Sequence, residues 1–188
     1  TLMGRLFGER QTTIFFAIRS YDKFLDSAYS EAVRAGFDLP PEALGPLLAQ
    51  DHMRWPAFTD RVCALFPGAQ ITIWQHETYR ENEEALLARL PGTEAALFQR
   101  ALPREDLRVS LSRDAGRALL AVHPFTDFKK LRDGQQDMAE ALALAFPVTP
   151  DNPSVTLWSD TERAALQGRY AEDVARLHAR SDIEFLSF

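Results

Sequence analysis

Apolar positions follow two patterns along the chain. Continuous apolar runs are typical of buried strands, and apolar positions with a helical period are typical of helices. Residues 12–18 form a run of apolar, β-branched and aromatic side chains, which predicts a strand covered on both faces. From Tyr21 the apolar positions recur with a helical period, centred near Ala28 and Ala32, and Gly36 is placed to end that helix. Further elements predicted in this half are a strand at 70–75 and helices at 56–66 and 82–90. Because helices separate the strands along the chain, we expect the strands to be parallel.

The C-terminal half mainly follows the helical pattern. Ser159 and Glu162 have the spacing of a capping box, in which the two side chains bond the first backbone N–H groups of a helix. The predicted elements are an extended segment at 107–111, helices at 113–122, 135–146 and 161–178, a proline-rich loop at 146–158 and a terminal strand at 183–186. The sequence therefore predicts a single domain over residues 1–188. Its expected class is α/β, with a short parallel sheet flanked by helices and a helical C-terminal half.

Composition narrows the classes of function. The chain carries 21 basic and 27 acidic side chains, and its formal charge of −6 argues against a nucleic-acid partner. A single cysteine, Cys63, excludes an internal disulfide and favours a reducing, cytoplasmic location, and its apolar neighbours predict a buried packing residue. No apolar run approaches the roughly 20 residues of a membrane-spanning helix. The histidines are scattered along the chain, so we predict no metal site.

Arg19 and Ser27 are the candidate functional residues. Arg19 ends the first predicted strand, and the carboxyl edge of a parallel sheet is where anionic ligands bind. Ser27 follows eight residues later, on a flank of the helix away from the predicted apolar stripe. A guanidinium and a hydroxyl can both donate hydrogen bonds to a phosphate. An exposed basic flank, formed with Lys23 and Arg34, is the alternative interpretation, and the residues alone slightly favour it.

A family resemblance changes the balance between these two interpretations. Arg19 and Ser27, within IRSYDKFLDSAY, resemble the 3′-phosphate-binding motif of PAPS-dependent sulfotransferases, where an arginine ends a strand and a serine lies eight residues further on. The stretch WPAFTDRVCALFPGAQITIWQHETY is similar to a later part of the family, with His76-Glu77 in place of its Tyr-Glu. The stretch LWSDTERAALQGRYAEDVARL is similar to the closing helix of bacterial members. The resemblance spans most of residues 12–178.

The resemblance implies a P-loop nucleotide-binding fold and a sulfotransferase activity. The co-substrate would be 3′-phosphoadenosine 5′-phosphosulfate (PAPS), and the acceptor a hydroxyl or amine of a small molecule or glycan. Arg19 and Ser27 would hold the 3′-phosphate of the nucleotide, whereas no residue of this sequence is assigned as catalytic. The family's N-terminal loop for the phosphosulfate, rich in Lys, Gly, Ser and Thr, has no counterpart in these residues. We therefore expect that this part of the domain precedes Thr1 or has been lost. The alternative is a non-catalytic domain of the same fold that binds a nucleotide, another anion or a protein partner.

Overall fold

The computed structural model describes residues 12–37, 50–79, 81–89, 110–123 and 132–187 of the chain. The chain divides into two compact units, which we call the sheet unit and the helical unit. Their described residues are 12–21, 50–79, 81–89 and 164–187 in the sheet unit, and 22–37, 110–123 and 132–163 in the helical unit. The single domain over residues 1–188 stays a prediction. Most of the predicted extended segment at 107–111 lies outside the described residues.

The sheet unit contains a short parallel sheet. Within the described residues its strands are β1 (Thr13–Ile18), β2 (Gln70–Gln75) and β3 (Glu184–Leu186), in the order β1-β2-β3. β2 pairs in parallel with both neighbours, and Ile18 lies opposite Gln75 while Trp74 lies opposite Leu186. The mixed α/β class, the parallel strands and the terminal strand are thereby confirmed.

Burial differs between the strands of this sheet. Ile71, Thr72 and Ile73 of β2 are all buried, with Ile73 fully so. In β1 only Ile18 is buried, and the side chains of residues 13–17 are half-buried. The prediction that β1 is covered on both faces is therefore wrong for most of its length. Among the described strands β1 pairs with β2 alone, so less of the sheet surrounds its side chains than surrounds those of β2.

The helix that directly precedes β2 begins and ends close to its predicted bounds. α2 (Trp55–Leu65) follows a short 3₁₀ helix, Asp51–Met53, and has proline in its first turn, where a missing N–H costs no helical hydrogen bond. Gly68 ends the Pro-Gly turn that follows, with a φ of 83° that side chains other than glycine rarely adopt. The predicted helix at 56–66 is confirmed.

The segment after β2 contains one short helix that the sequence did not predict, followed by the helix predicted at 82–90, which is shorter than expected. It holds α3 (His76–Tyr79), which starts directly at the end of β2, and α4 (Glu83–Leu87). Asn82 separates them, with non-helical backbone angles of −128° and 22°, and its side-chain amide donates to the carbonyl of Thr78 at 2.9 Å. Asparagine competes with the backbone for hydrogen bonds in this way, and that competition interrupts the helix.

The helical unit packs its helices around an apolar core. Among its described residues the helices are α1 (Tyr21–Arg34, from Asp22 in this unit), α5 (Arg113–Val122) and α6 (Arg132–Ala145). The buried core residues are Tyr29, Val33, Leu111, Ala115, Leu119, Ala139 and Ala143. The helix at 113–122 is confirmed, and α6 begins three residues before its predicted start.

The buried face of α1 is not centred where the sequence pattern predicts. Leu25, Tyr29 and Val33 are buried, whereas Ala28 is exposed and Ala32 is half-buried. Large side chains gain more from burial than alanine, so they decide which face turns inward. Gly36 ends the helix as predicted, with a φ of 81° and the paired end bonds of a Schellman motif.

The last helix confirms the predicted capping box. α7 (Asp160–His178) follows Ser159, whose backbone N–H donates to the carboxylate of Glu162 at 2.9 Å, while the Glu162 N–H lies 3.4 Å from the Ser159 hydroxyl. These bonds satisfy N–H groups that have no partner within the helix. In the described part of the chain, no helix is both long enough and apolar enough to cross a membrane.

Cys63 lies on α2 and is only partly buried, so the prediction of a fully buried packing residue is wrong. The guanidinium of Arg180 lies 3.7 Å from its sulfur and also binds the carboxylates of Asp60 and Asp182. Burial raises the pKa of the Cys63 thiol. The neighbouring ion pairs keep this part of the helix at the protein surface, which explains why the thiol is not enclosed.

Candidate functional site

The segment that leaves β1 carries the predicted site residue Arg19. Arg19 directly follows the last residue of β1 and is half-buried, while Ser20 and Tyr21 are buried. Tyr21 is the first residue of α1. The predicted order of strand, arginine and helix is therefore confirmed, and Arg19 lies at the carboxyl end of a strand in a parallel sheet. All three residues of this segment have main-chain or side-chain atoms bound by distant parts of the sheet unit.

The peptide group between Arg19 and Ser20 is held on both sides by side chains. Its carbonyl oxygen, which belongs to Arg19, accepts a hydrogen bond from the indole Nε1 of Trp55 at 2.8 Å. Its N–H, which belongs to Ser20, donates to Oε1 of Glu77 at 2.8 Å. We call this pair of bonds the peptide clamp. Its two side chains come from the start of α2 and from α3, which are 36 and 57 residues away along the chain.

Glu77 is in turn held by a second donor. The hydroxyl of Tyr170 on α7 donates to Oε2 of Glu77 at 2.9 Å, and the side-chain nitrogen of Gln75 lies 3.4 Å from that hydroxyl. Burial raises the pKa of the Tyr170 phenol well above its usual range, so the phenol keeps the proton that it donates. Each oxygen of the Glu77 carboxylate therefore has a fixed partner, although the residue itself is exposed.

Tyr21 ties the start of α1 to the same region. Its hydroxyl donates to Oδ2 of Asp173 at 2.6 Å and accepts from the backbone N–H of Trp55 at 2.7 Å. Its ring stacks on Trp55, with centroids 6.0 Å apart, and meets the edge of Tyr170 at 6.1 Å. Burial, and next the bond to Asp173, raise the pKa of the Tyr21 phenol far above its usual range. Tyr21 therefore acts as a neutral donor throughout the pH range in which proteins are stable.

The carboxylate that Tyr21 binds is part of a buried ion pair. Asp173 on α7 has no solvent exposure, and Arg54 approaches both of its oxygens, with Nε 2.8 Å from Oδ2 and Nη2 2.7 Å from Oδ1. The hydrogen bond that Arg54 donates to Asp173 raises the pKa of Arg54, which stays charged. Nε donates a hydrogen bond to Oδ2, whereas Nη2 forms an ion pair with Oδ1, and both contacts offset part of the cost of burying the carboxylate. Asp173 thus joins α7 to the residue before α2 and to the first residue of α1.

Ser27, the second predicted site residue, lies on the exposed side of α1. It is two residues from Tyr29, about 200° around a helix of 3.6 residues per turn, and therefore opposite the buried face. This confirms that Ser27 is not part of the core. Lys23 is also exposed, whereas the side chain of Arg34 is 9% exposed and pairs with Glu31 at 3.8 Å. Arg34 therefore does not belong to an exposed basic flank.

Arg19 belongs to the sheet unit and Ser27 to the helical unit. Each residue has the local setting that the sequence predicts for it, and their joint role in binding a phosphate stays a prediction. Within the ranges that the structure describes, no group of three or more His, Cys, Asp or Glu side chains could hold a metal ion.

Sequence reasoning missed most of the residues that hold this segment. Trp55 and Glu77 occur in the sequence only within the stretch quoted for the family resemblance, which does not predict their contacts with Arg19 and Ser20. For Asp173 the sequence does contain a pattern from which its buried ion pair could have been predicted. On α7 it occupies a position in register with the buried Leu166, Tyr170 and Leu177, and an acidic residue on an apolar helix face needs a buried partner.

No protein-family model matches the chain, and no curated protein or solved structure is significantly similar to it. The sulfotransferase resemblance therefore depends on the short motifs quoted above.

Proposed function

We propose that the chain is a sulfotransferase-like protein with a P-loop nucleotide-binding fold, and that Arg19 and Ser27 bind the 3′-phosphate of PAPS. The observation that carries the proposal is the position of Arg19 directly after β1 of a parallel sheet, with its peptide group held on both sides. Anionic ligands bind at this edge of such sheets. An arginine whose main chain is fixed there can offer its fork of donors to a phosphate at a small entropic cost.

The reaction would be an in-line transfer. An acceptor hydroxyl or amine attacks the sulfur of PAPS, the bond between sulfur and the bridging phosphate oxygen breaks, and adenosine 3′,5′-bisphosphate leaves. A base takes the proton of the acceptor, and cationic donors stabilise the charge that develops on the leaving phosphate. In this scheme Arg19 and Ser27 anchor the nucleotide through its 3′-phosphate and take no part in the proton transfer.

Calorimetry with adenosine 3′,5′-bisphosphate tests the proposal. Arg19→Ala should weaken binding by at least about tenfold, because a charge-assisted bond to a phosphate is worth roughly 1.5–3 kcal/mol and tenfold corresponds to about 1.4 kcal/mol. Ser27→Ala should weaken binding by about three- to tenfold, as expected for a neutral donor. Arg117→Ala is the control and should leave the affinity unchanged, since this exposed cation on α5 is not part of the motif.

A second ligand identifies which phosphate Arg19 binds. Adenosine 5′-phosphate lacks the 3′-phosphate, so Arg19→Ala should leave its affinity unchanged while weakening the bisphosphate. Equal affinity of the wild-type protein and Arg19→Ala for the bisphosphate would contradict the proposal. So would a lack of binding to the wild-type protein.

The alternative, a non-catalytic domain of the same fold, makes a different prediction. If such a domain binds a nucleotide, it would bind both PAPS and the bisphosphate but leave PAPS intact during long incubation with phenol, amine and glycan acceptors. If it binds another anion or a protein partner, it would bind neither nucleotide. A sulfotransferase would release adenosine 3′,5′-bisphosphate in an acceptor-dependent manner, which chromatography of the nucleotides detects.

A further inference from the structure

The peptide clamp holds the main chain at Arg19, one of the two residues on which the proposed function depends. A peptide group is planar, so holding both its carbonyl and its N–H fixes the orientation of the whole plane. That plane joins Arg19 to Ser20, and it restricts the backbone rotation next to the α-carbon of Arg19. A residue just beyond a strand is usually among the more mobile parts of a chain. Here two side chains from different elements remove that mobility.

We propose that Trp55 and Glu77 are positioning residues for Arg19, which they act on through its peptide group and not through contact with the ligand. This inference rests on the proposed function, because it assigns the clamp a role in binding the anion at Arg19. A fixed backbone reduces the conformational entropy that the arginine loses when it binds a phosphate. The clamp uses only main-chain atoms of Arg19 and Ser20, so it is independent of the Arg19 side chain.

The charge of Glu77 supports a positioning role over direct binding. A carboxylate repels a phosphate, so it has no use as a ligand contact at an anion site. Glu77 instead accepts the hydrogen bond of the Ser20 N–H through Oε1, and the hydroxyl of Tyr170 donates to its Oε2 and holds the carboxylate in place. A glutamine at position 77 keeps an acceptor oxygen and removes the repulsion. Positioning therefore predicts opposite behaviour for a glutamine and an alanine at this position.

Three variants separate the bonds of the clamp. Trp55→Phe removes the indole N–H but keeps an aromatic ring next to Tyr21 and the backbone N–H that binds the Tyr21 hydroxyl. Glu77→Ala removes the acceptor for Ser20, and Glu77→Gln keeps one. We expect the affinity for adenosine 3′,5′-bisphosphate to fall about three- to tenfold in Trp55→Phe and about tenfold in Glu77→Ala. Glu77→Gln should bind as tightly as the wild-type protein or up to about twofold tighter.

A double-variant cycle distinguishes positioning from a general structural effect. Each clamp variant is combined with Arg19→Ala, and dissociation constants up to the millimolar range are measured by NMR titration with the bisphosphate. If the clamp acts through Arg19, Trp55→Phe and Glu77→Ala should change the affinity by less than about twofold once the arginine side chain is gone. Ile73→Val, at a fully buried position of β2, is the control for lost stability and should leave the affinity unchanged.

The outcomes for the inference and for the proposed function differ. If Arg19→Ala weakens binding but both clamp variants bind like the wild-type protein, the positioning role is wrong and the proposed function stands. A loss of affinity that persists in the Arg19→Ala background also overturns the positioning role. If Arg19→Ala itself binds like the wild-type protein, the proposed function fails, whatever the clamp variants do.

Discussion

The buried ion pair of Asp173 and Arg54 should be the largest single polar contribution to the stability of the sheet unit. Asp173 has no solvent exposure and receives Nε and Nη2 of Arg54 at 2.8 and 2.7 Å and the hydroxyl of Tyr21 at 2.6 Å. Removing one partner of a buried ion pair costs about 3–5 kcal/mol, because the other charge stays desolvated. Both Asp173→Ala and Arg54→Met should therefore be strongly destabilising.

The two variants should not cost the same. Asp173→Ala leaves the guanidinium of Arg54, whose side chain is 17% exposed and can regain water. Arg54→Met leaves a carboxylate with no exposure, and water cannot reach it. We expect about 3–4 kcal/mol for Asp173→Ala and a value near the upper limit of about 5 kcal/mol for Arg54→Met. For a chain of this length, losses of that range lower Tm by roughly 6–20 °C.

Urea unfolding, followed by circular dichroism and tryptophan fluorescence, measures these differences. The double variant Arg54→Met with Asp173→Leu removes both charges, so most of the lost stability should return, apart from the bond that Tyr21 loses. A cost below about 1 kcal/mol for Asp173→Ala would refute the reasoning, since a solvent-exposed pair behaves in that way. The single variant Asp173→Leu completes this cycle. If the costs of Arg54→Met and Asp173→Leu add up in the double variant, the reasoning is also refuted, because the two charges would then not stabilise each other.

Three further substitutions, at Asp26, Gly68 and Gly168, should change the stability by smaller amounts. Asp26 accepts from the backbone N–H of Leu157 at 3.0 Å, and its desolvation raises its pKa, so the folded state binds the proton more tightly than the unfolded state. The stability of the protein should therefore fall as the pH rises through the unfolded and then the folded pKa of Asp26. Asp26→Asn should increase the stability at pH 7, and this gain should disappear in acid. Thermal unfolding at several pH values measures both effects. Gly68→Ala should cost about 1–2 kcal/mol, since its φ of 83° strains any side chain although nothing lies within 4 Å of an added methyl group. Gly168→Ala makes the same change within the helix α7, where an added methyl group also meets nothing within 4 Å, and it should increase the stability by about 0.5–1 kcal/mol. If urea unfolding shows that both variants raise the stability, or that both lower it, this argument is contradicted.

Features that depend only on residues close together in the sequence were predictable. The positions of β1 and β2 follow from their apolar runs, the end of α1 from Gly36, and the start of α7 from the Ser159–Glu162 box. Each of these signals acts over a few residues, through side-chain pattern, backbone freedom or a local hydrogen bond. The same reasoning placed Arg19 at the end of a strand, which is the basis of the proposed site.

The wrong predictions concern quantities that depend on what packs against a segment. The buried face of α1 was misplaced because small alanines counted as much as Leu25 and Tyr29 in the pattern. Cys63 was expected to be buried because its neighbours are apolar, yet Arg180 and its carboxylate partners lie beside it. Burial is a property of the assembled structure, and a local pattern weighs neither side-chain size nor distant neighbours.

The candidate site shows the same division. The order of β1, Arg19 and α1 is written in adjacent residues, and the exposure of Ser27 follows from the helical period. The bonds that hold the peptide group after Arg19 come from Trp55, 36 residues from Arg19, and from Glu77, 57 residues from Ser20. Nothing near Arg19 in the chain points to them. Local sequence specifies which element a residue ends or begins. Which distant side chain meets its backbone is decided by strand register and helix packing, since these bring the partners within 3 Å.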